Sequence, residues 1–280
     1  MGVRIITFDD LYSFKRQLQI DERSQATISK YLHDVKCFWA YTANQTITKE
    51  IVLEYKAMLS KKYALSSANS MLAALNSFFG FMAWNDCCVR QFKIQKKLFC
   101  SEEKELSKEE YRRLVQTAIE NGNEQLALIL QTICGTGIRI SELQQITVEA
   151  VRKGEAVVSC KNKSRTVFIV RDLQKKLLSF IKKNKILSGS IFVTKSKKPV
   201  SRFFVWHEMK MLCDSANVSE SKVFPHNLRH LFARAFYSVE KDLARLADIL
   251  GHLSVNTTRI YIISTGTEHR RRMEQMHLII

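Results

Sequence analysis

The stretch ILGHLSVNTTRIY, residues 249–261, brings a helix stop, a helix start and two reactive side chains into one short span. Gly251 reads as the cap of the helix before it, since glycine takes the left-handed backbone that closes a helix without steric cost. Ser254 reads as the cap of the helix after it, its hydroxyl accepting from a backbone N–H of the first turn. His252 and Tyr261 stand nine residues apart across that corner. A phenol ionises near pH 10 and is a poor nucleophile unless neighbouring cations favour the phenolate. Alone, Tyr261 reads equally as a packing residue with an apolar body and a polar tip.

Upstream, PHNLRHLFA (225–233) opens with Pro225, which suits the first position of a helix. His226 and Arg229 are three apart and share a helix face, so both reach one phosphate if it sits there. A merely solvated basic helix end has the same sequence. His226 and His230 also share a face, but no cysteine or carboxylate stands near them to complete a metal site. Further upstream, GTGIRISEL (135–143) sets Arg139 behind two glycines and before Ser141, which is expected to open a helix. A tight turn would then hold the arginine at a helix N-terminus, a favourable anion position. The alternative is a surface arginine beside an ordinary turn. Between these segments AVVSCK (156–161) and RTVFIV (165–170) are β-branched runs joined by a polar turn, which predicts a hairpin. Residues 191–193 are expected to add a third strand.

Ser107 and Glu110 form a capping box, with Leu106 and Tyr111 at the staple positions, so a second domain is expected to begin there. The charged residues 87–105 lose the periodicity and read as a linker region, with the linker between the domains set at 99–106. The first 98 residues read as four helices, capped by Thr7, Ser24, Thr48 and Ser66 or Ser67, with apolar stripes such as Ile28, Leu32, Val35 and Phe38. Helical signals resume at Ser201, Pro225 and Lys241. The expected fold is mainly α: a small helical domain (1–98) and a mostly helical domain (107–280) holding a small antiparallel sheet.

Composition narrows the function. The 280 residues carry 44 Lys and Arg against 27 Asp and Glu, a formal charge of +17. Residues 1–105 hold 15 basic and 11 acidic residues, so most of the excess lies in the second domain. That balance points to a polyanionic partner, and a Lys-rich soluble surface or an anionic membrane surface has the same composition. No window is apolar for long enough to cross a membrane, and no signal peptide is apparent, so a soluble cytoplasmic protein is expected. Seven cysteines with no CxxC pair argue against a disulfide framework or structural zinc. There is no GxxxxGK[ST] loop, no HExxH and no acidic pair for two metal ions, so neither a cofactor nor a metal is expected.

A metal-free enzyme acting on a phosphodiester needs two guanidiniums for the non-bridging oxygens, a nucleophile for phosphorus and an acid for the departing oxygen. The segments above supply these types. Together and in this order they resemble the tyrosine recombinases, or phage integrase family, and most simply their Xer-like members. The family pattern is an arginine in G-x-R-x-S-E-L, a lysine in a β-hairpin, H-x-x-R, L-G-H, and a tyrosine nine residues later. Here those positions are Arg139, Lys161, His226, Arg229, His252 and Tyr261. The hairpin is one residue shorter than the usual G-K-G-N-K-x-R string, which leaves Lys163 as a competitor to Lys161. The resemblance spans the whole chain. It implies a two-domain clamp with an N-terminal SAM-like core-binding domain.

The implied mechanism has Tyr261 attack the scissile phosphate, giving a 3′-phosphotyrosyl link and a free 5′-hydroxyl. Arg139 and Arg229 hold the non-bridging oxygens and Lys161 protonates the leaving oxygen. His226 acts as base or proton shuttle, and His252 binds the phosphate. Strands then exchange through a Holliday junction without ATP. The implied partners are double-stranded DNA with a specific recombination site and a homotetramer tied by residues 262–280 packing in trans. A partner recombinase or directionality factor is a further option. Two rivals share the chemistry or the fold: a type IB topoisomerase, and a DNA-binding regulator with an inactive site.

Overall fold

The computed structural model describes residues 4–94, 104–160, 163–252, 254–261, 270 and 273–276, without the side chains of residues 160 and 163. The chain divides into two units, Met1–Lys96 and Lys97–Ile280.

The first unit is four helices: α1 (Phe8–Ile20), α2 (Gln25–Thr42), α3 (Lys49–Lys62) and α4 (Leu65–Phe81). Thr7 caps α1 in a reciprocal box with Asp10, and Ser24 and Thr48 cap α2 and α3 as expected. The fourth cap differs from expectation. Ala64 occupies it and offers no side-chain acceptor, so α4 begins before both serines. Burial of Ala68, Leu72, Leu75 and Phe78 holds that helix without a polar cap. The core is aromatic. The Phe38 ring meets Tyr55 and Phe79 edge-on, with centroids 5.0 and 5.7 Å away. Phe38→Ala is expected to cost about 3–5 kcal/mol, the range for an aromatic truncated in a close-packed core. Denaturant unfolding of the variant against wild type measures it.

The stretch beginning at residue 87 does not start as a free linker. Cys87 and Val89 are buried in the first unit's core. Two asparagines of α4 grip the strap that follows. Asn76 donates to the Val89 carbonyl (2.8 Å) and accepts from its N–H (3.0 Å), and Asn69 does the same for Phe92 (2.9 and 2.7 Å). A side-chain amide copies the peptide group, so each asparagine acts as one residue of a partner strand.

The second unit holds α5 (Lys108–Glu120), α6 (Glu124–Thr136), α7 (Val148–Lys153), α8 (Arg171–Lys183), α9 (Arg202–Met211), α10 (Pro225–Val239), α11 (Leu243–Leu250) and α12 (Val255–Arg259). The Ser107–Glu110 box opens α5, and Leu106 and Tyr111 join the unit's core. Strands β1 (Glu155–Cys160) and β2 (Lys163–Phe168) pair antiparallel, with Cys160 opposite Lys163. α6 lies at the centre, where buried Leu126, Ile129, Leu130 and Ile133 join the core.

Three local expectations are corrected. Residues 191–193 form no third strand; Val193 makes one isolated bridge to Pro199. Its two flanking hydrogen bonds, from the Thr194 N–H to the Lys198 carbonyl (2.8 Å) and from the Val200 N–H to the Phe192 carbonyl (3.1 Å), close a tight turn and leave the segment a single bridge. Ser141 opens no α-helix: Ile140–Gln145 is a 3-10 turn whose cap is Arg139. α11 begins at Leu243, not Lys241, because Asp242 accepts from the N–H groups of Ala244 and Arg245. No helix among the described residues is long and apolar enough to cross a membrane.

Candidate active site

Three arginines converge on the last turn of α11. Arg165 Nε donates to the Ile249 carbonyl (2.9 Å), an Arg229 Nη to Leu250 (2.6 Å) and an Arg139 Nη to Gly251 (3.2 Å). Carbonyls at a helix C-terminus have no partner within the helix and carry the negative end of its dipole, so guanidiniums satisfy both needs. Gly251 closes the helix with φ +64°, and a Cβ there would lie 2.9 Å from Arg165. The glycine is therefore required twice, by backbone and by space.

Arg139 leaves the C-terminus of α6 through Gly137, whose φ of +67° ends that helix. A Cβ at Gly137 would stand 2.4 Å from the Phe232 ring. The Gly137 carbonyl is thereby left to Arg229, which donates to it at 2.6 Å. Arg229 is buried, and its Nε has no partner among the described residues. Burial, then the charge of Arg139, pulls the Arg229 guanidinium down to about 10. It stays charged at neutral pH.

Buried Glu142 balances this charge. One oxygen accepts from Arg139 Nη1 (3.0 Å) and Arg165 Nη1 (2.9 Å). The other accepts from the Arg139 backbone N–H (2.8 Å) and Arg165 Nη2 (2.8 Å). Burial alone would push its carboxyl up, but hydrogen bonds from Arg165 and then from the Arg139 backbone outweigh that and hold it below the usual range.

The phenol lies among histidines. Tyr261 is buried, and its hydroxyl lies 3.2 Å from His226 Nε2. The His230 ring stacks on the Tyr261 ring at 4.1 Å and 19°, and meets His226 edge-on at 4.9 Å. His252 Nε2 lies 3.0 Å from Arg229 Nη2. A guanidinium only donates, so Nε2 accepts, and Nδ1 donates to Thr258 Oγ1 at 2.8 Å. Burial, then Arg229, lowers His226 below the ordinary histidine value. Burial brings His230 and His252 down to about 4, aided by His226 at the former and Arg229 at the latter.

These depressed histidines make stability depend on pH. The unfolded chain takes up protons near 6.5 that the folded site accepts only near 4. Stability is therefore full above about pH 6.5 and falls as pH drops towards 4. Thermal unfolding followed from pH 7.5 to 4.5 should show a falling midpoint. His230→Phe, which cannot titrate, should flatten part of that slope.

A cleft of about 650 Å³ opens beside the cluster, lined among others by Arg139, Ser141, Trp206, His226 and Arg229. Arg139, His226, Arg229, His252 and Tyr261 are thus brought together. Lys161 lies outside the described residues, as does the side chain of its competitor Lys163. Glu142, Arg165, His230 and Thr258 complete the cluster and were not singled out from sequence. His230 was visible only as one of a histidine pair, and Glu142 only as a letter of GTGIRISEL. Among the described residues, no three His, Cys, Asp or Glu side chains gather to hold a metal ion. The groups present suit one chemistry: a phenol with a neutral base at its hydroxyl, beside cations fit for a phosphate.

Comparison with known proteins gives a consistent picture. The model of the phage integrase family matches residues 104–268, and that of the phage integrase N-terminal SAM-like domain matches residues 11–86. Tyrosine recombinase XerA of Pyrococcus furiosus is 28% identical over 289 residues, covering 100% of this chain and 98% of the relative. The crystal structure of XerA recombinase covers 97% of this chain and 99% of its own, at 22% identity and a TM-score of 0.55. A lambda integrase tetramer bound to a Holliday junction covers 92% of this chain and 77% of its own, at 18% identity and a TM-score of 0.72. At such identities the two structures speak to the fold.

Proposed function

The chain belongs to the phage integrase family, the tyrosine recombinases, and we propose that it is a site-specific DNA recombinase acting through a 3′-phosphotyrosyl intermediate and a Holliday junction. The observation that carries this reading is the Tyr261 hydroxyl held 3.2 Å from His226 Nε2, in a cluster with Arg139 and Arg229. Tyr261 is the nucleophile. His226, neutral because burial and two arginines disfavour its charged form, takes the phenolic proton. Arg139 and Arg229 neutralise the charge that gathers on the non-bridging oxygens. A hairpin lysine, Lys161, protonates the leaving 5′-oxygen. His252, with Nε2 engaged by Arg229, holds that guanidinium and contacts the phosphate if the arginine turns towards it.

The substrate is double-stranded DNA with a specific recombination site. The basic second domain supplies phosphate contacts, which give affinity more than sequence choice. We take residues 1–98 as the core-binding domain, 99–106 as the linker and 107–280 as the catalytic domain. The working form is a homotetramer on two sites, in keeping with the tetramer that lambda integrase forms on a Holliday junction. A partner recombinase or directionality factor joins it where the reaction has a direction. We take residues 262–280 to pack on a neighbour; of these only 270 and 273–276 are among the described residues, where Met273 and Met276 are exposed. The protein acts in the cytoplasm.

Trapping in cells tests the reading. Tagged protein is stopped with denaturing detergent, and the covalently bound DNA ends are sequenced. Discrete 3′-linked ends, with the adduct mapped by mass to the peptide holding Tyr261, are expected. Binding with no adduct would favour a DNA-binding regulator. Relaxation of supercoils by purified protein without exchange between two recovered sites would favour a topoisomerase.

A further inference from the structure

Arg165 closes the K-x-R hairpin string and stands outside the six site positions, yet its side chain makes three hydrogen bonds, as many as that of Arg229. Its fork goes to Glu142, at 2.9 and 2.8 Å, and its Nε to the Ile249 carbonyl. Little of its side chain meets solvent, 13% against 32% for Arg139. It lies on β2, opposite Val158, so it also fastens the lysine-bearing hairpin to the turn that carries Arg139.

The charges explain why a third arginine is needed. Glu142 has no solvent exposure and about four acceptor sites. Arg165 fills two of them with the bidentate geometry that suits a carboxylate. The Arg139 backbone takes a third, and a single Arg139 Nη bond takes the fourth. Without Arg165 a full negative charge in a buried site would face Arg139 alone. The two would close into a neutral pair, and the guanidinium would have little charge left for a phosphate.

We propose that Arg165 is a positioning residue: by saturating Glu142 it keeps Arg139 free in charge and in hydrogen-bonding capacity for the scissile phosphate. This rests on the recombinase reading above. It makes a claim about charge that a purely mechanical tether does not share.

The experiment measures covalent adduct formation on a duplex carrying the site recovered by trapping, with DNA affinity measured in parallel. Arg165→Met should slow adduct formation about 100-fold and change affinity less than 3-fold, since one phosphate among many is affected. Arg165→Lys keeps the charge but not the fork, so it should fall short of wild type while staying at least about 10-fold above Arg165→Met. The double variant Arg165→Met, Glu142→Gln removes the surplus charge while keeping the buried shape, and should regain at least 10-fold over Arg165→Met. A double variant no faster than Arg165→Met, with its unfolding midpoint restored, would overturn the proposal and leave Arg165 a mere tether. So would Arg165→Lys as slow as Arg165→Met. Absence of an adduct from wild type would strike the recombinase reading and this inference together, whereas the two variant results strike this inference alone.

Discussion

Tyr261→Phe is expected to bind its DNA as tightly as wild type and to form no covalent adduct. The substitution removes one oxygen from a ring that His230 stacks upon and that shares a buried cluster with Ala233, Leu246 and Leu250. Phenylalanine fills the same volume, so the ring stack and its contact with His226 survive. The lost hydrogen bond to His226 is worth about 1 kcal/mol of stability. The lost nucleophile is another matter: deleting one costs on the order of 10⁶ in rate where it has been measured. Gel retardation and adduct capture on the same duplex separate the two effects. An adduct that persists in the variant would move the nucleophile elsewhere, with Tyr237 the first to examine.

Arg229→Lys should bind DNA and lose roughly 10³–10⁵ in cleavage, the range seen when a transition-state arginine is removed. The charge is nominally kept, so the loss comes from geometry and ionisation. Arg229 satisfies the Gly137 and Leu250 carbonyls and His252 with two Nη groups held in a plane. An ammonium has three donors about one point and cannot span them. Burial already lowers Arg229 to about 10. A lysine starts some two units lower and is more readily neutralised by burial, so it would lose part of its charge near neutral pH. Single-turnover cleavage between pH 7 and 8.5 measures this: the variant should fall further as pH rises, while wild type should not.

Much of this was legible in the sequence because the decisive signals are local. Gly251 and Ser254 announce a stop and a start through their own backbone and side chain, and both act so. Thr7, Ser24, Thr48 and Ser107 cap helices by the same short-range chemistry. The failures have a physical pattern. α4 needs no polar cap because buried apolar residues hold it, and that is a tertiary effect. Glu142 lies 23 residues from Arg165, and nothing in either segment marks them as partners. His230 looks like half of a histidine pair until Tyr261 arrives from 31 residues away to stack on it. The carbonyls of Ile249, Leu250 and Gly251 carry no side-chain signature, so no reading of residue types shows that they gather the arginines.

The strap after the first unit's core has a consequence for which residues can drift. Cys88, Val89, Arg90 and Phe92 are all gripped through main-chain atoms, by Lys49, Asn76, Lys56 and Asn69 respectively. A grip on the main chain is blind to what the strap's side chains are. Arg90, whose side chain is exposed, is therefore free to be replaced by almost anything but proline. The opposite holds for Asn69 and Asn76. Aspartate has the same shape but cannot donate, so either change to Asp would set a carboxylate against a carbonyl. Two residues inside a helix thus hold the spelling of the strap open while allowing none in their own.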